Sequence, residues 1–174
     1  MLVLVVGPSG AGKDTLLSAA REALRHDARF CFARRVITRP ADAGGEDHEA
    51  ITEQEFATRD FALQWQAHGL RYGIPAEVIG SRDITVANVS RTVIAHAAQR
   101  FRVRVIEVTA PRAVLAARLA ARGREDESDA AARLARSVTL PSHVLIETVT
   151  NDGSLSDGLA RFLAALSRAA STAP

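Results

Sequence analysis

The chain has 174 residues, of which 47% are hydrophobic and 24% charged, with a net charge of +2 and one cysteine. That length and apolar content suit one domain with a sizeable core, and arginines interleaved with Asp and Glu exclude the basic run of a nucleic-acid binder. Cys31, alone, excludes an internal disulfide or a thiolate metal cluster, and reads as a buried strand cysteine in a reducing compartment. The apolar start Met1–Val6 is cut off by Gly7-Pro8-Ser9-Gly10, too short for a leader or a membrane span, so the expectation is a cytoplasmic protein without a membrane partner.

In chain order, Leu2-Val3-Leu4-Val5-Val6 is an apolar run without polar alternation, which predicts a central parallel strand covered on both faces. A glycine-rich turn follows, then a helix with Leu16, Leu17, Ala20 and Leu24 at helical spacing. Phe30 to Ile37 reads as a second strand, ended by a loop from Arg39-Pro40 through His48, and Glu53 to Arg59 as a short helix. Phe61 to Trp65 and Arg71 to Ile74, separated by His68-Gly69, read as a hairpin set apart from the main sheet. Two strands, Ile84 to Val89 and Arg102 to Val108, flank a helix at Ser90 to Arg100 in the alternation of a βαβ unit.

Arg112 to Ala121 predicts a further helix that Gly123 breaks, before a charged stretch at 122–128 and another helix from about Asp129 to Ser137. Val144-Leu145-Ile146 gives a last strand, and Leu155 to Arg168 a closing amphipathic helix. The fold class is therefore α/β: one domain, 1–174, with a P-loop NTPase-type parallel sheet flanked by helices. Its expected parts are a core (1–33, 81–121 and 138–174), a small substrate-binding insert at about 34–80 and an arginine lid at about 122–137.

Gly7-Pro8-Ser9-Gly10-Ala11-Gly12-Lys13 matches the G-x-x-x-x-G-K phosphate loop, and it lies between a buried strand and a helix start, as the mechanism requires. Glycines let the backbone turn so that its N–H groups converge on phosphate oxygens, and the helix N-terminus adds a favourable dipole. Lys13 is the only lysine among 22 basic residues, which marks a position that needs a compact ammonium rather than a planar fork. Asp14 follows where a Ser or Thr hydroxyl usually reaches magnesium, with Thr15 displaced by one. Two roles stay open for Asp14: holding magnesium directly or through water, or capping the helix.

Taken together, this motif and five later stretches resemble the guanylate kinase family over nearly the full length. Ile37-Thr38-Arg39-Pro40 resembles the family's acceptor-phosphate motif, Gly45-Glu46-Asp47-His48 its Gly-x-Asp-Tyr, and His68-Gly69-Leu70-Arg71-Tyr72-Gly73 its Gly-x-Tyr-Tyr-Gly. Arg122-Gly123-Arg124-Glu125 with Arg133 and Arg136 resembles its arginine lid, and Asn151-Asp152 its adenine-side loop. The resemblance implies ATP with magnesium on the phosphate loop, Asn151 near the adenine, the acceptor phosphate held by Arg39 and Tyr72, and Arg122, Arg133 and Arg136 acting with Lys13 on the transferred group.

In the family a guanine-selecting carboxylate stands six residues before the hairpin glycine, a place taken here by Leu63, and the acidic strand end is replaced by Ala87-Asn88-Val89-Ser90. The pattern Leu63 to Pro75, with Gly-Lys-Asp in the loop, is similar to the ribose 1,5-bisphosphate phosphokinases, relatives of that family. This implies transfer of the ATP γ-phosphate to a sugar bisphosphate acceptor, with Leu63 lining its pocket. Two acceptor phosphates call for extra cations, for which Arg34, Arg35, Arg71 and Arg91 are candidates, with His48 and His68 as further donors.

Trp65 reads as a core aromatic or a stacking platform. The alternatives to the sugar phosphate reading are an ordinary nucleoside monophosphate kinase and a kinase-shaped binding module without catalysis. A homodimer is compatible with the sequence.

Overall fold

The computed structural model describes residues 1–40, 47–121 and 144–171. Strand β1 (Leu2–Val6) is fully buried and leads through the phosphate loop into α1 (Lys13–Ala23). Next come β2 (Phe30–Phe32), β3 (Arg35–Ile37), β4 (His48–Ala50) and α2 (Glu53–Thr58), the last started by a capping box in which Thr52 and Glu55 satisfy each other's backbone N–H. The hairpin β5 (Phe61–Ala67) and β6 (Leu70–Pro75) follows. Then come β7 (Ile84–Asn88), α3 (Ile94–Arg100), β8 (Val103–Thr109), α4 (Arg112–Ala120), β9 (Leu145–Thr150) and α5 (Leu155–Ala170).

Two sheets form. The first is parallel throughout, in the order β2-β7-β1-β8-β9, and the second has the order β4-β3-β6-β5. Alternation along β1 explains its unbroken apolar run. Val3 and Val5 pack with Leu16, Phe162 and Leu166 of α1 and α5, while Leu2, Leu4 and Val6 pack with Ile94 of α3 and with Leu63 and Ile74 of the hairpin. The second sheet thus lies on the first rather than beside it, and its inner face completes the core.

Three expectations are corrected here. The single strand over Phe30 to Ile37 is two strands in two sheets, because the chain leaves the first sheet at Ala33-Arg34. His48 does not end a loop; it opens β4, which pairs in parallel with β3. Cys31 is half-buried rather than buried, since β2 is an edge strand. The lid arginines Arg122, Arg133 and Arg136, and Gly45 and Glu46 of the Gly-x-Asp-Tyr-like stretch, lie outside the described residues. Among the described residues no helix is long and apolar enough to cross a membrane.

Candidate active site

The phosphate loop sits at the carboxyl end of β1, and its shape depends on glycine at two places. Gly7 has φ 146°, and a Cβ there would stand 2.0 Å from the Val108 carbonyl oxygen. Gly12 has φ 85°, and a Cβ there would stand 2.5 Å from the Asn151 side-chain nitrogen. Only a residue without a side chain fits either position. Lys13 Nζ donates to the carbonyls of Gly7 (2.8 Å) and Pro8 (2.9 Å), which holds the ammonium over the loop.

Asn151 is buried, and its Nδ2 donates to the Ala11 carbonyl at 2.8 Å. This side chain braces the loop from the β9–α5 connection. The residue expected beside the adenine thus stands directly against the phosphate loop.

Beside the loop opens a cleft of about 540 Å³ between α1, the β2–β3 connection and the end of β7. Asp14, Leu17, Ser18 and Arg21 line it from one face of α1, together with Thr15, and Arg34, Arg35, Arg39, Asp47 and Asn88 line it from the other elements. Four guanidinium groups against two carboxylates give the cleft a surplus of positive charge, which favours anions.

Arg35 is more enclosed than Arg21 and Arg34, with a side chain 13% exposed and its guanidinium 3.3 Å from Asp14 Oδ1. It also lies over the Tyr72 ring at 5.9 Å, and Tyr72 stacks in turn on Trp65 at 5.4 Å. Burial pushes the Arg35 guanidinium below its ordinary pKa, and the Asp14 carboxylate opposes that shift. Arg39 stands 3.3 Å from His48 Nδ1, so buried His48 orients Arg39 from behind. Arg34 and Arg21 both reach Asp47, at 2.8 and 3.3 Å, across the open end of the cleft.

Several sequence expectations therefore change. Leu63 does not line the pocket: it is 1% exposed and packs in the core with Leu4, Val6 and Ile74, because the β5 register faces it inward. Tyr72, 8% exposed, lies beneath Arg35 instead of facing the cleft, and Trp65 packs, partly buried, against the core. Arg71 alternates to the opposite face of β6, where it covers the Phe56 ring at 4.3 Å and meets Glu53 at 3.7 Å. Arg91 pairs with Glu107 and is not part of the cleft lining.

Asp14 does not cap α1; Gly12 occupies that position without any side-chain capping bond. Its Oδ1 accepts instead from Asn88 Nδ2 at 2.7 Å. Arg21 and Ser18 escaped the sequence reading, although their spacing from Asp14 places all three on one helix face.

Comparison with known proteins agrees with this architecture. A family model described as an AAA domain matches residues 2–139. The ribose 1,5-bisphosphate phosphokinase PhnN of Acidiphilium cryptum is 57% identical over 139 residues, covering 78% of this chain and 76% of the relative. The bifunctional ribose 1,5-bisphosphokinase-thymidine phosphorylase of Cupriavidus pinatubonensis is 51% identical over 94% of this chain, which spans only 28% of that longer protein. Among solved structures, a guanylate kinase from Anaplasma phagocytophilum superposes with a TM-score of 0.65 over 97% of this chain and 85% of its own, at 17% identity, and so shares the fold. With 57% identity over 78% of its length to a named member, the chain belongs to the ribose 1,5-bisphosphate phosphokinase family.

Proposed function

We propose that the chain transfers the γ-phosphate of ATP onto the 1-phosphate of ribose 1,5-bisphosphate, giving 5-phosphoribosyl 1-diphosphate and ADP. The observation that carries this reading is the arginine-lined cleft adjoining the phosphate loop. Four guanidinium groups, from Arg21, Arg34, Arg35 and Arg39, face a space of about 540 Å³, which suits a small acceptor bearing two phosphates. The names of the relatives support the same choice.

In this reading the loop amides and Lys13 hold the β- and γ-phosphates, and Arg35 and Arg39 hold the acceptor phosphate beside them. An acceptor oxygen forms a bond to the γ-phosphorus while the bond to the β–γ bridging oxygen breaks, and that electron pair leaves on ADP. A phosphate oxygen is already anionic at neutral pH, so no general base is needed. Catalysis then consists of alignment and charge neutralisation. By the family resemblance, Arg122, Arg133 and Arg136 supply further cations.

Magnesium fits the cleft. Among the described residues no cluster of three or more His, Cys, Asp or Glu forms a protein cage for a metal, but magnesium at a nucleotide needs only one or two protein oxygens, the rest coming from phosphates and water. Asp14, which lines the cleft next to the phosphate loop, would hold the ion, and the ion would supply positive charge that neutralises the nucleotide phosphates. ATP, a sugar phosphate and the free thiol of Cys31 are consistent with a cytoplasmic setting.

The test is an acceptor panel. ADP release is followed with ribose 1,5-bisphosphate, GMP and AMP in parallel, and the proposal expects kcat/KM for the sugar bisphosphate to exceed both nucleotides by at least about a hundredfold. Preference for GMP or AMP would transfer the assignment to a nucleoside monophosphate kinase.

A further inference from the structure

The loop motif departs from the usual phosphate-loop arrangement at two places that the fold brings into contact. In most phosphate-loop enzymes a hydroxyl follows the loop lysine and a carboxylate ends a neighbouring strand, and the two share the magnesium. Here the residue after Lys13 is Asp14, and the strand β7, next to β1, ends on Asn88. Asn88 Nδ2 donates to Asp14 Oδ1 at 2.7 Å although 74 residues separate them in the chain.

Asn88 is 6% exposed and lines the cleft, yet its Oδ1 is buried without a hydrogen-bond partner. A buried carbonyl oxygen left unsatisfied is destabilising, so its retention beside a carboxylate calls for a ligand. An amide flip does not remove the problem. It would set two acceptors face to face and leave the Nδ2 donors without a base. Asp14 Oδ1 is also approached by Arg35 at 3.3 Å, whereas among the described residues its Oδ2 accepts no hydrogen bond. One carboxylate oxygen is thus anchored by an amide and a guanidinium, which fixes the orientation of the other.

We infer that the carboxylate and the neutral ligand of the nucleotide's magnesium have exchanged places in this chain: Asp14 on α1 supplies the charge, and Asn88 at the end of β7 orients Asp14 and offers its own Oδ1 to the ion's hydration shell. The exchange keeps one negative charge at the site. It rests on the proposed nucleotide use of the phosphate loop but not on the identity of the acceptor.

The experiment measures ADP binding by calorimetry and Mn²⁺ binding to the ADP complex by electron paramagnetic resonance, neither of which needs turnover. Asp14→Asn is expected to weaken Mn²⁺ binding to the ADP complex by at least about tenfold, and Asn88→Ala by a similar factor. In EDTA, Asp14→Asn should bind ADP as well as the unaltered protein or better, because removing a carboxylate beside the phosphates relieves repulsion. A merely structural Asp14 would lose ADP affinity equally with and without metal.

The double variant Asp14→Ser with Asn88→Asp should recover Mn²⁺ affinity to within about threefold, consistent with a charge moved and not lost. Unchanged Mn²⁺ binding in Asp14→Asn, equal losses in EDTA, or failure of the double variant to recover would each overturn the inference. If instead the unaltered protein binds no ADP, with or without Mn²⁺, the nucleotide reading itself fails, and the two failures are distinguished.

Discussion

Replacing Lys13 by alanine is expected to lower kcat by about a thousandfold or more, equivalent to about 4 kcal/mol of transition-state stabilisation, while the fold survives. The expectation follows from where the side chain is spent. Its ammonium contacts the carbonyls of Gly7 and Pro8 over the loop, and losing such bonds from the resting protein costs about 1 kcal/mol. During transfer, charge shifts from the γ-phosphoryl group toward the β–γ bridging oxygen, and a preorganised cation at that place has no substitute in solvent. Lys13→Arg should be nearly as damaging, because the wider planar fork does not fit a position shaped for a compact ammonium. Stopped-flow or steady-state ADP release with a parallel thermal melt checks both halves. Turnover within tenfold of the unaltered protein would remove Lys13 from the mechanism.

The second large effect concerns Leu63. A residue that lined the acceptor pocket would, as glutamate, raise the acceptor KM by repulsion and leave the melting temperature nearly unchanged. The structure predicts the reverse. Leu63 is 1% exposed, lies opposite Ile74 in the hairpin register, and packs against Leu4 and Val6 of β1. A carboxylate there would be buried among apolar side chains and would lose the apolar contact as well.

Leu63→Glu should therefore cost about 4 kcal/mol or more, with a fall in Tm of about 10 °C, and Leu63→Ala about 2–5 kcal/mol from the cavity alone. Denaturant titration of both variants, with kcat/KM measured on whatever fraction is folded, separates the two accounts. A stable Leu63→Glu protein with a selectively raised acceptor KM would return Leu63 to the pocket.

Much of the fold was legible because local and long-range signals agree. The run Leu2 to Val6 has no polar residue, and only a strand with apolar layers on both faces accommodates it. The glycine spacing from Gly7 to Gly12 is required by steric contacts with Val108 and Asn151, so the motif and its geometry are one constraint. Pairing between distant strands leaves a weaker trace. Nothing between Phe30 and Ile37 marks the change of sheet at Ala33-Arg34, since both halves are β-prone and the break is set by what each half packs against.

Site residues followed the same division. Asp14 follows the loop motif and Arg39 falls in a stretch singled out by resemblance, and both line the cleft. Leu63 and Tyr72 were assigned by linear resemblance and Arg71 by its charge, both of which are blind to strand register, and a register decides which face each residue takes. Alternation along Leu70 to Pro75 already separated Arg71 from Tyr72, so that part of the correction was available in the sequence. The contact between Asp14 and Asn88 was not, because it depends on β7 lying next to β1.

The most direct test of the central claim is phosphorus NMR of the purified protein with ATP, magnesium and ribose 1,5-bisphosphate. The account predicts that the γ-phosphate signal of ATP disappears as a diphosphate attached to the sugar C1 appears in equal amount with ADP. ADP accompanied only by inorganic phosphate, or no change at all in the ATP resonances, would contradict it.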